Sequence, residues 1–528
     1  MRNRRLIPAI LLAFVVSSCS LDIDETDSLI TEGASDVFNG VASASDAVTN
    51  MYNNISGQAG DQANLFALQE VTTDELMVLT RGTDWGDNGI WRTLHQHTMG
   101  PTHAYVNQVW NDKNSAVLRA TEIIDPLSSA SAENIAHAKF LRAYNMWLVM
   151  DFWGQVPFRN PTDGPEITPE VKTREEAYDF IVQDLTDAIA GLPASNPTSS
   201  TKTRAVKATA RFFLAKVKLQ ANVYKGAYGP NDLQDVIDLV DAIEADGYSI
   251  VASTAFGDYF DLFVGPTFTN PDVIWNVQAG VGNRMWNGLH YNQPAKPGEG
   301  NDGGGWNGFT TLAEFYDKFE GPANDNSVGT GTGVGQEERR GLTQTLASTT
   351  EDNFGFGFGF QIGQMYSFSG GSAKALTDRG GAPLVFTREV PGLVGNNERT
   401  GIRVLKWSPA NGAFTEGLVM ARFADAHLMR AEAKLRLGNS ADALADVNEL
   451  RSKRAATPAL GAISEAALLD ERARELYLEG WRRHDLIRFG VFKNAWQFKE
   501  AGDGHSDVFP IPASALLSNP NLVQNDGY

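Results

Sequence analysis

The 528-residue sequence predicts a mainly α-helical fold: a scaffold of about four helix pairs, interrupted by irregular, loop-rich regions with short strands. Three observations point to it. Apolar residues recur at helical spacing in adjacent segments. Alanine recurs where such helices would touch (Ala208, Ala215, Ala424, Ala431, Ala443). Two long regions, 55–100 and 249–415, lose that period and fill with Gly, Asn, Asp and Trp.

The first pair takes about residues 34–52 with 103–127. The second spans 131–192. There Leu141, Tyr144, Leu148 and Phe152 repeat at helical spacing, as do Ala177, Ile181, Leu185 and Ala188, and Thr173 with Glu176 makes a T-x-x-E capping box. The third, 205–247, carries Ala208, Phe212, Ala215 and Leu219, then Leu233, Val236, Val240 and Ile243. The fourth, 421–456, carries Ala424, Leu428, Ala431 and Leu435; Gly438 stops its first helix and Ser440 can cap the next. Its sequence, "ADAHLMRAEAKLRLGNSADALADVNELRSKR", resembles a tetratricopeptide-type helix–turn–helix. Pairs of this kind bury their apolar faces on their neighbours and form one continuous layer. After Leu469, the stretch "ERARELYLEGWRRHDLIRFG" predicts a charge-dense helix whose ion-paired, solvated face seals the last pair. The scaffold thus takes about 34–54, 101–248 and 416–500. Between these, "PDVIWNVQ" and "GIRVLKW" predict short strands. Phe354, Phe356, Phe358 and Phe360 alternate with glycine, which puts all four on one side of a strand, against the body or against a partner protein. "GTGTGVG" (329–335) lacks the Lys-Ser/Thr of a phosphate loop and predicts a flexible loop.

The amino terminus has its own logic. Arg2, Arg4 and Arg5 precede an apolar run, Leu6 to Val16, that is too short for the ~20 residues a membrane span needs. Small residues and the chain's single cysteine, Cys19, follow. This is the pattern of a secretory signal, residues 1–18. Val16-Ser17-Ser18-Cys19 resembles the lipobox of bacterial lipoproteins, in which the cysteine becomes the lipidated first residue; the alternative is a cysteine within an ordinary signal. Residues 19–33, with Asp22, Asp24, Glu25 and Asp27, predict an acidic tether, and 34–528 the body.

Net charge is −20, from 64 acidic against 44 basic residues. Such a field repels nucleic acid and anionic polymers and favours a neutral partner. The tryptophans sharpen this. Trp110, Trp147, Trp153, Trp481 and Trp496 lie in helical or helix-end patterns and Trp275 and Trp407 in strand patterns, so these seven predict core. Trp85, Trp91, Trp286 and Trp306 lie in loops. Three glycines ahead of Trp306 would let the backbone bring that ring to a surface. Indoles match the C–H faces of a neutral glucan, and paired polar groups match its hydroxyl edges. The candidate glycan-binding set is therefore Trp306, Trp286, Trp85, Trp91 and Tyr291, with Arg81, Asp84, Asp87, Asn88, Asn283 and Asn301 as polar neighbours that could equally be turn residues. Three stacked rings give on the order of 4–7 kcal/mol, hence micromolar to millimolar binding.

Five stretches together, "AKFLRAYNMWLVMDFWGQVPF", "TREEAYDFIVQDLTDAIAGLP", the 421–454 pair, "ERARELYLEGWRRHDLIRFG" and the terminal "FPIPASALLSNPNLVQNDGY", resemble the SusD/RagB family of glycan-capture lipoproteins. The resemblance weakens over 249–415. It implies a non-enzymatic protein on the outer face of the outer membrane, anchored by lipid on Cys19. It further implies that the protein binds oligosaccharide or polysaccharide and passes it to a SusC-like TonB-dependent transporter. In that family the loop after an early "DE" motif and two later loops supply an aromatic arc; Asp74-Glu75 precede Trp85 here. No nucleic-acid partner and no cofactor are expected, although acidic loops are compatible with a structural calcium ion.

Two other function classes compete. A glycoside hydrolase needs paired carboxylates, and Asp74, Glu75, Asp84 and Asp87 lie near the expected platform. A peptide- or protein-binding adaptor would use the tetratricopeptide-like groove. His95, His97 and His103 lack any standard zinc spacing.

Overall fold

A computed structural model describes residues 38–164, 166–263, 269–279, 282–293, 304–327, 335–407, 417–502 and 507–528. Cys19, the signal, the whole tether and Asn301 lie outside these residues, as does 328–334, which holds almost all of the glycine-rich loop.

Sixteen helices are named here in chain order: α1 (Ala44–Gly60), α2 (Asn64–Glu70), α3 (Ile90–His95), α4 (Ala104–Ile124), α5 (Ala132–Trp153), α6 (Arg174–Gly191), α7 (Lys207–Leu219), α8 (Ala221–Lys225), α9 (Asp232–Ala245), α10 (Gly282–Gly288), α11 (Ala313–Tyr316), α12 (Phe423–Arg436), α13 (Ser440–Ser452), α14 (Glu465–Leu476), α15 (Arg482–Arg488) and α16 (Ala513–Ser518). In the scaffold α4 packs on α5, α5 on α6, α6 on α7, α7 on α9, α9 on α12 and α12 on α13, so the expected pairs form one layer. Their ends follow local chemistry. Ser43 caps α1, Ser131 caps α5, and the Thr173–Glu176 capping box opens α6. Gly154 and Gly438 take the left-handed conformation that ends α5 and α12. The position before α13 is Asn439, without a side-chain cap, so Ser440 is the first helical residue instead of the cap. All five contact alanines are fully buried, as are α5's Leu141 and Phe152.

Region 55–100 is less irregular than expected. Helix α1 runs on to Gly60, and α2 and α3 follow, because Leu65, Phe66, Leu68, Trp91 and Leu94 find core partners. Beyond α9, short antiparallel strand pairs replace helices. Met77–Val78 pairs with Phe309–Thr310, and Leu418–Arg422 with Val273–Val277. Arg403–Leu405, Phe358–Gln361 and Gly341–Leu342 form a three-stranded sheet. The alternating phenylalanines do not share one strand face. Phe354 sits in a turn at φ 53°, and Gly355 and Gly359 also have positive φ, which breaks the period-two alternation. Phe356 and Phe360 are buried, while Phe358 is half-buried against Phe260. All seven tryptophans expected in the core are there.

The charge-dense stretch 471–490 departs most from expectation. It is two helices, α14 and α15, broken where Leu478 and Gly480 have positive φ. Nor is it solvated: Glu471, Arg472, Glu475, Arg483, Asp485 and Arg488 are all buried. Each of these charges meets a counter-charge, most of them from a distant segment. Glu475 pairs with Arg422 at 2.8 Å and Arg454 at 2.7 Å, and Glu471 with Arg339 at 2.8 Å and Arg451 at 2.6 Å. Arg472 bridges Asp425 and Asp485, and Arg488 holds Glu432 at 2.7 Å. Burial opposes ionisation of Glu471, but Arg339, Arg474 and Arg451 overcome it and bring its pKa down to about 2. Because Arg339 belongs to the strand-bearing region, this network fastens that region to the helices.

Candidate functional site

Two segments far apart in sequence meet above α10. Residues 305–308 donate four backbone N–H groups to carbonyls at the end of that helix: Gly305 to His290, Trp306 to Trp286, Asn307 to Leu289 and Gly308 to Asn287. This approach needs glycine. A Cβ on Gly304 would lie 1.6 Å from the Tyr291 carbonyl oxygen, and one on Gly305 2.2 Å from that of Leu289. The glycines thus fix the Trp306 backbone tightly, and its ring stands 37 % exposed.

The second segment is the turn Arg81–Ile90. Arg81 and Asp84 exchange backbone hydrogen bonds at 3.0 and 2.9 Å. Trp85 (φ 61°), Asp87 (37°), Asn88 (53°) and Gly89 (83°) then all lie in or near the left-handed region. Such conformations cost ~1–3 kcal/mol each in a non-glycine residue and cluster at functional sites. The half-buried Trp85 donates its indole N–H to the Trp306 carbonyl at 2.8 Å. Its ring lies over Gly308, where a Cβ would come within 2.7 Å of it.

Tyr291 completes the group. Its hydroxyl donates to Asp84 at 2.9 Å, and the Arg379 guanidinium covers one face of its ring at 4.0 Å. Arg379 also pairs with Asp84 and Glu398. Burial raises the Tyr291 pKa, helped by the hydrogen bond to Asp84, to about 12, so the hydroxyl keeps its proton. Burial works against the Glu398 carboxylate, yet hydrogen bonds from Arg379 and His290 hold its pKa below the usual range. Burial pushes the His290 pKa down to about 4. The neutral ring then accepts from the Asn292 N–H at Nδ1 and donates from Nε2 to Glu398.

The structure thus brings together Trp85, Trp306, Tyr291 and Asp84, with Asp87 and Asn88 exposed on the adjoining turn. Three expected contact residues lie beneath. Trp286 is 4 % exposed because it falls within α10, not a loop. Trp91 is buried on α3, its N–H held by Asp87 at 2.9 Å and its ring against Tyr105 and Phe309. Arg81 is also buried. Its guanidinium donates to the carbonyls of Asn307 (2.7 Å), Gly308 (3.0 Å) and Thr400 (3.2 Å) and to the Thr310 hydroxyl (2.6 Å). Desolvation lowers its pKa to about 9. Arg403 grips the Asn307 side chain from the other side at 2.7 and 2.8 Å. These two arginines position the platform and do not face a ligand. Asn283 lies in α10, with its side chain outside the described set.

Arg379, Glu398, His290 and Asn292 were not anticipated. Arg379 offered one weak signal, its place before two glycines in a turn-like stretch, as Arg81 precedes Gly82. Of the other candidates, Asp74 pairs with Arg482 at 2.6 Å and Glu75 accepts from the Leu478 N–H, both away from the platform. His95, His97 and His103 each bond a different backbone carbonyl: Gln497, Thr72 and Ile90. Among the described residues His427, Asp446 and Glu449 bring ligand atoms close enough for a metal, but Lys434 at 2.7 Å and Arg430 at 3.4 Å already neutralise Asp446.

Comparison with known proteins gives this geometry its context. The SusD family model matches residues 271–528, and a second, described as starch-binding associating with outer membrane, matches 27–219. The starch-binding protein SusD of Bacteroides thetaiotaomicron is 26 % identical over 512 residues, covering 89 % of this chain and 86 % of that protein. A crystal structure of a SusD-like protein from Bacteroides fragilis superposes with a TM-score of 0.70 at 20 % identity, covering 92 % of this chain and 96 % of the other. Surface glycan-binding protein A of Bacteroides thetaiotaomicron, solved with laminarihexaose, gives 0.61 at 20 % identity over 91 % and 98 %. With family matches at both ends and the fold shared across nearly its whole length, the chain belongs to the SusD family.

Proposed function

We propose that this protein captures a neutral glucan on the Trp85–Trp306–Tyr291 platform at the outer face of the outer membrane, held there by lipid on Cys19, and delivers it to a SusC-like TonB-dependent transporter. One observation carries the binding reading: an exposed and a half-buried indole set side by side, with the Trp85 N–H bonded to the Trp306 backbone carbonyl. Their flat faces suit pyranose C–H faces, and Asp84, Arg379 and Asn88 border them to meet hydroxyls. A net charge of −20 disfavours an anionic polymer. The relatives support both glucan classes, since one is named for starch and one was solved with laminarihexaose.

Binding without catalysis fits the carboxylates. A glycosidase needs an acid with a raised pKa facing its partner; here Asp84 and Glu398 both lie on Arg379, and the Glu398 pKa is lowered. The lipobox supports the anchor, and among the described residues no helix is long and apolar enough to cross a membrane. A glycan array on residues 20–528 tests the substrate class. Saturable binding of laminarin or starch at micromolar to millimolar concentration supports the proposal; retention of acidic polysaccharides alone, or of nothing, overturns it. Cys19→Ala should leave the membrane fraction, and the intact lipoprotein should co-purify with a large β-barrel.

A further inference from the structure

The helical scaffold holds a second concavity that shares no lining residue with the aromatic platform. A cleft of about 530 Å³ opens between α1 and α4. Met51, Asn54 and Gln58 of α1 line one wall, Asp112 and Ser115 of α4 the other, and Asn145 of α5 also borders it. A hollow of about 160 Å³ bordered by Lys113 adjoins it and shares Gly57, Gln58 and Asp112. Small residues keep the space open: a Cβ added at Gly57 would meet nothing within 4 Å.

Two buried polar groups bear on what this space can hold, and one of them lacks a partner. Asn145 is 1 % exposed; its Nδ2–H donates to the Leu141 carbonyl at 2.7 Å, and its Oδ1 has no partner among the described residues. Lys113 is equally buried. Its ammonium donates to the Gln58 amide oxygen and lies 5.6 Å over the Tyr144 ring, and among the described residues no carboxylate forms an ion pair with it, so it has donors to spare. Native proteins rarely leave a buried acceptor such as the Asn145 Oδ1 unmet, because it costs ~1–3 kcal/mol. The two needs are opposite: Asn145 requires a donor and Lys113 offers one. A hydroxyl satisfies both. A carboxylate brings no proton for Asn145 and meets Asp112, and an ammonium meets Lys113.

We propose that the α1–α4 cleft is a second ligand site, for a small neutral polyhydroxylated molecule of mono- or disaccharide size. Its volume lies within the ~300–1,000 Å³ of small-molecule pockets. No aromatic ring lines the main cleft, so hydrogen bonds carry the affinity and binding is weak, in the millimolar range. The inference does not rest on the platform reading.

The test uses residues 20–528 carrying Trp85→Ala and Trp306→Ala, with glucose, maltose and cellobiose as probes in ligand-observed saturation-transfer NMR. At least one probe should give a saturable signal in both the wild-type and the double-alanine protein. Gly57→Phe, which projects a ring into the cleft from the interior of α1, should weaken that signal at least about tenfold without lowering the unfolding midpoint. Should Gly57→Phe fail to fold, Gly57→Leu makes the same test, and Asn145→Leu should also abolish binding. Absence of signal from all three sugars overturns the proposal, leaving water as the occupant. So does a signal lost with the two tryptophans, or one that survives the cleft substitutions. Failure of the platform reading would appear separately, as loss of polymer binding on the array.

Discussion

Trp306→Ala separates the platform's binding from its folding. The indole is 37 % exposed; for a side chain of up to ~250 Å², that leaves about 90 Å² to be covered by a ligand. At ~25 cal/mol per Å² this is worth about 2 kcal/mol, or about 30-fold in Kd. The structural contribution of Trp306 lies in its backbone, whose N–H donates to Trp286 and whose carbonyl accepts from Trp85. Both bonds persist in alanine, so stability should change by no more than about 0.5 kcal/mol. Affinity electrophoresis in laminarin and in starch gels, with calorimetry on whichever glucan retards the wild type, measures the first quantity; denaturant unfolding measures the second. Trp85→Ala is the contrast, because it deletes a hydrogen bond and empties the seat over Gly308, so affinity and local order should fall together. A glucan-binding wild type whose affinity changes less than about threefold in Trp306→Ala would refute the argument.

Three further outcomes follow from the charged and titratable side chains. Arg379→Ala should weaken glucan binding severalfold by freeing Asp84 and uncovering Tyr291, yet change stability by less than about 1 kcal/mol, since its side chain is half exposed; binding isotherms and unfolding curves distinguish the two. Glu475→Ala should destabilise by about 3–5 kcal/mol, because it removes a buried carboxylate shared by Arg422, Arg454 and Arg339 and leaves Arg454 with only Asp272 at 4.0 Å as an ion-pair partner, as a lowered urea midpoint would report. Glu75 is buried and lies against the Glu70 carboxylate; both causes raise its pKa well above the ordinary value, so the native fold retains a proton that the unfolded chain releases near the ordinary 4.5. Stability from that proton is complete below the unfolded value and is lost as pH rises through the folded one. Glu75→Gln should therefore show a flatter decline of Tm above pH ~5 than the wild type, and parallel curves would exclude the shared proton.

The helix pairs were legible because a periodic apolar face long enough to bury is visible in any stretch of about three turns. Context also sorted the seven core tryptophans correctly. For the platform, glycine and aspartate around Trp85 and Trp306 marked backbone that departs from regular structure, and Tyr291 followed by proximity. Trp286 was misplaced because α10 has only seven residues, fewer than two full turns of pattern. Trp91 sits on a six-residue helix, and the Asp87 carboxylate that holds its N–H looked like one more turn residue. Arg379 was invisible since its partner Asp84 lies 295 residues away. The charged helices α14 and α15 misled for the same reason. A dense run of Glu and Arg reads as solvated unless Arg339, Arg422, Arg451 and Arg454 are known to converge on it.

The buried arginines explain how loops without extended strands can hold rings in register. Backbone carbonyls in irregular segments need donors that neighbouring strands would otherwise supply. Arg81 supplies them to Asn307, Gly308 and Thr400, and Arg403 supplies them to Thr400 and Gly401 while gripping the Asn307 side chain. Each guanidinium therefore substitutes for several ladder hydrogen bonds; Arg81 joins segments more than 200 residues apart, and Arg403 reaches Asn307, 96 residues away. Ring position then depends on groups beneath the platform, together with the Trp85 N–H bond to the Trp306 backbone carbonyl. The outward side chains of Trp306 and Arg379 are consequently separable from the fold, whereas Arg81 and Arg403 are not. A change of ligand preference can arise by replacing what the platform displays, with the arginines below and the Glu471–Glu475 network behind it left intact.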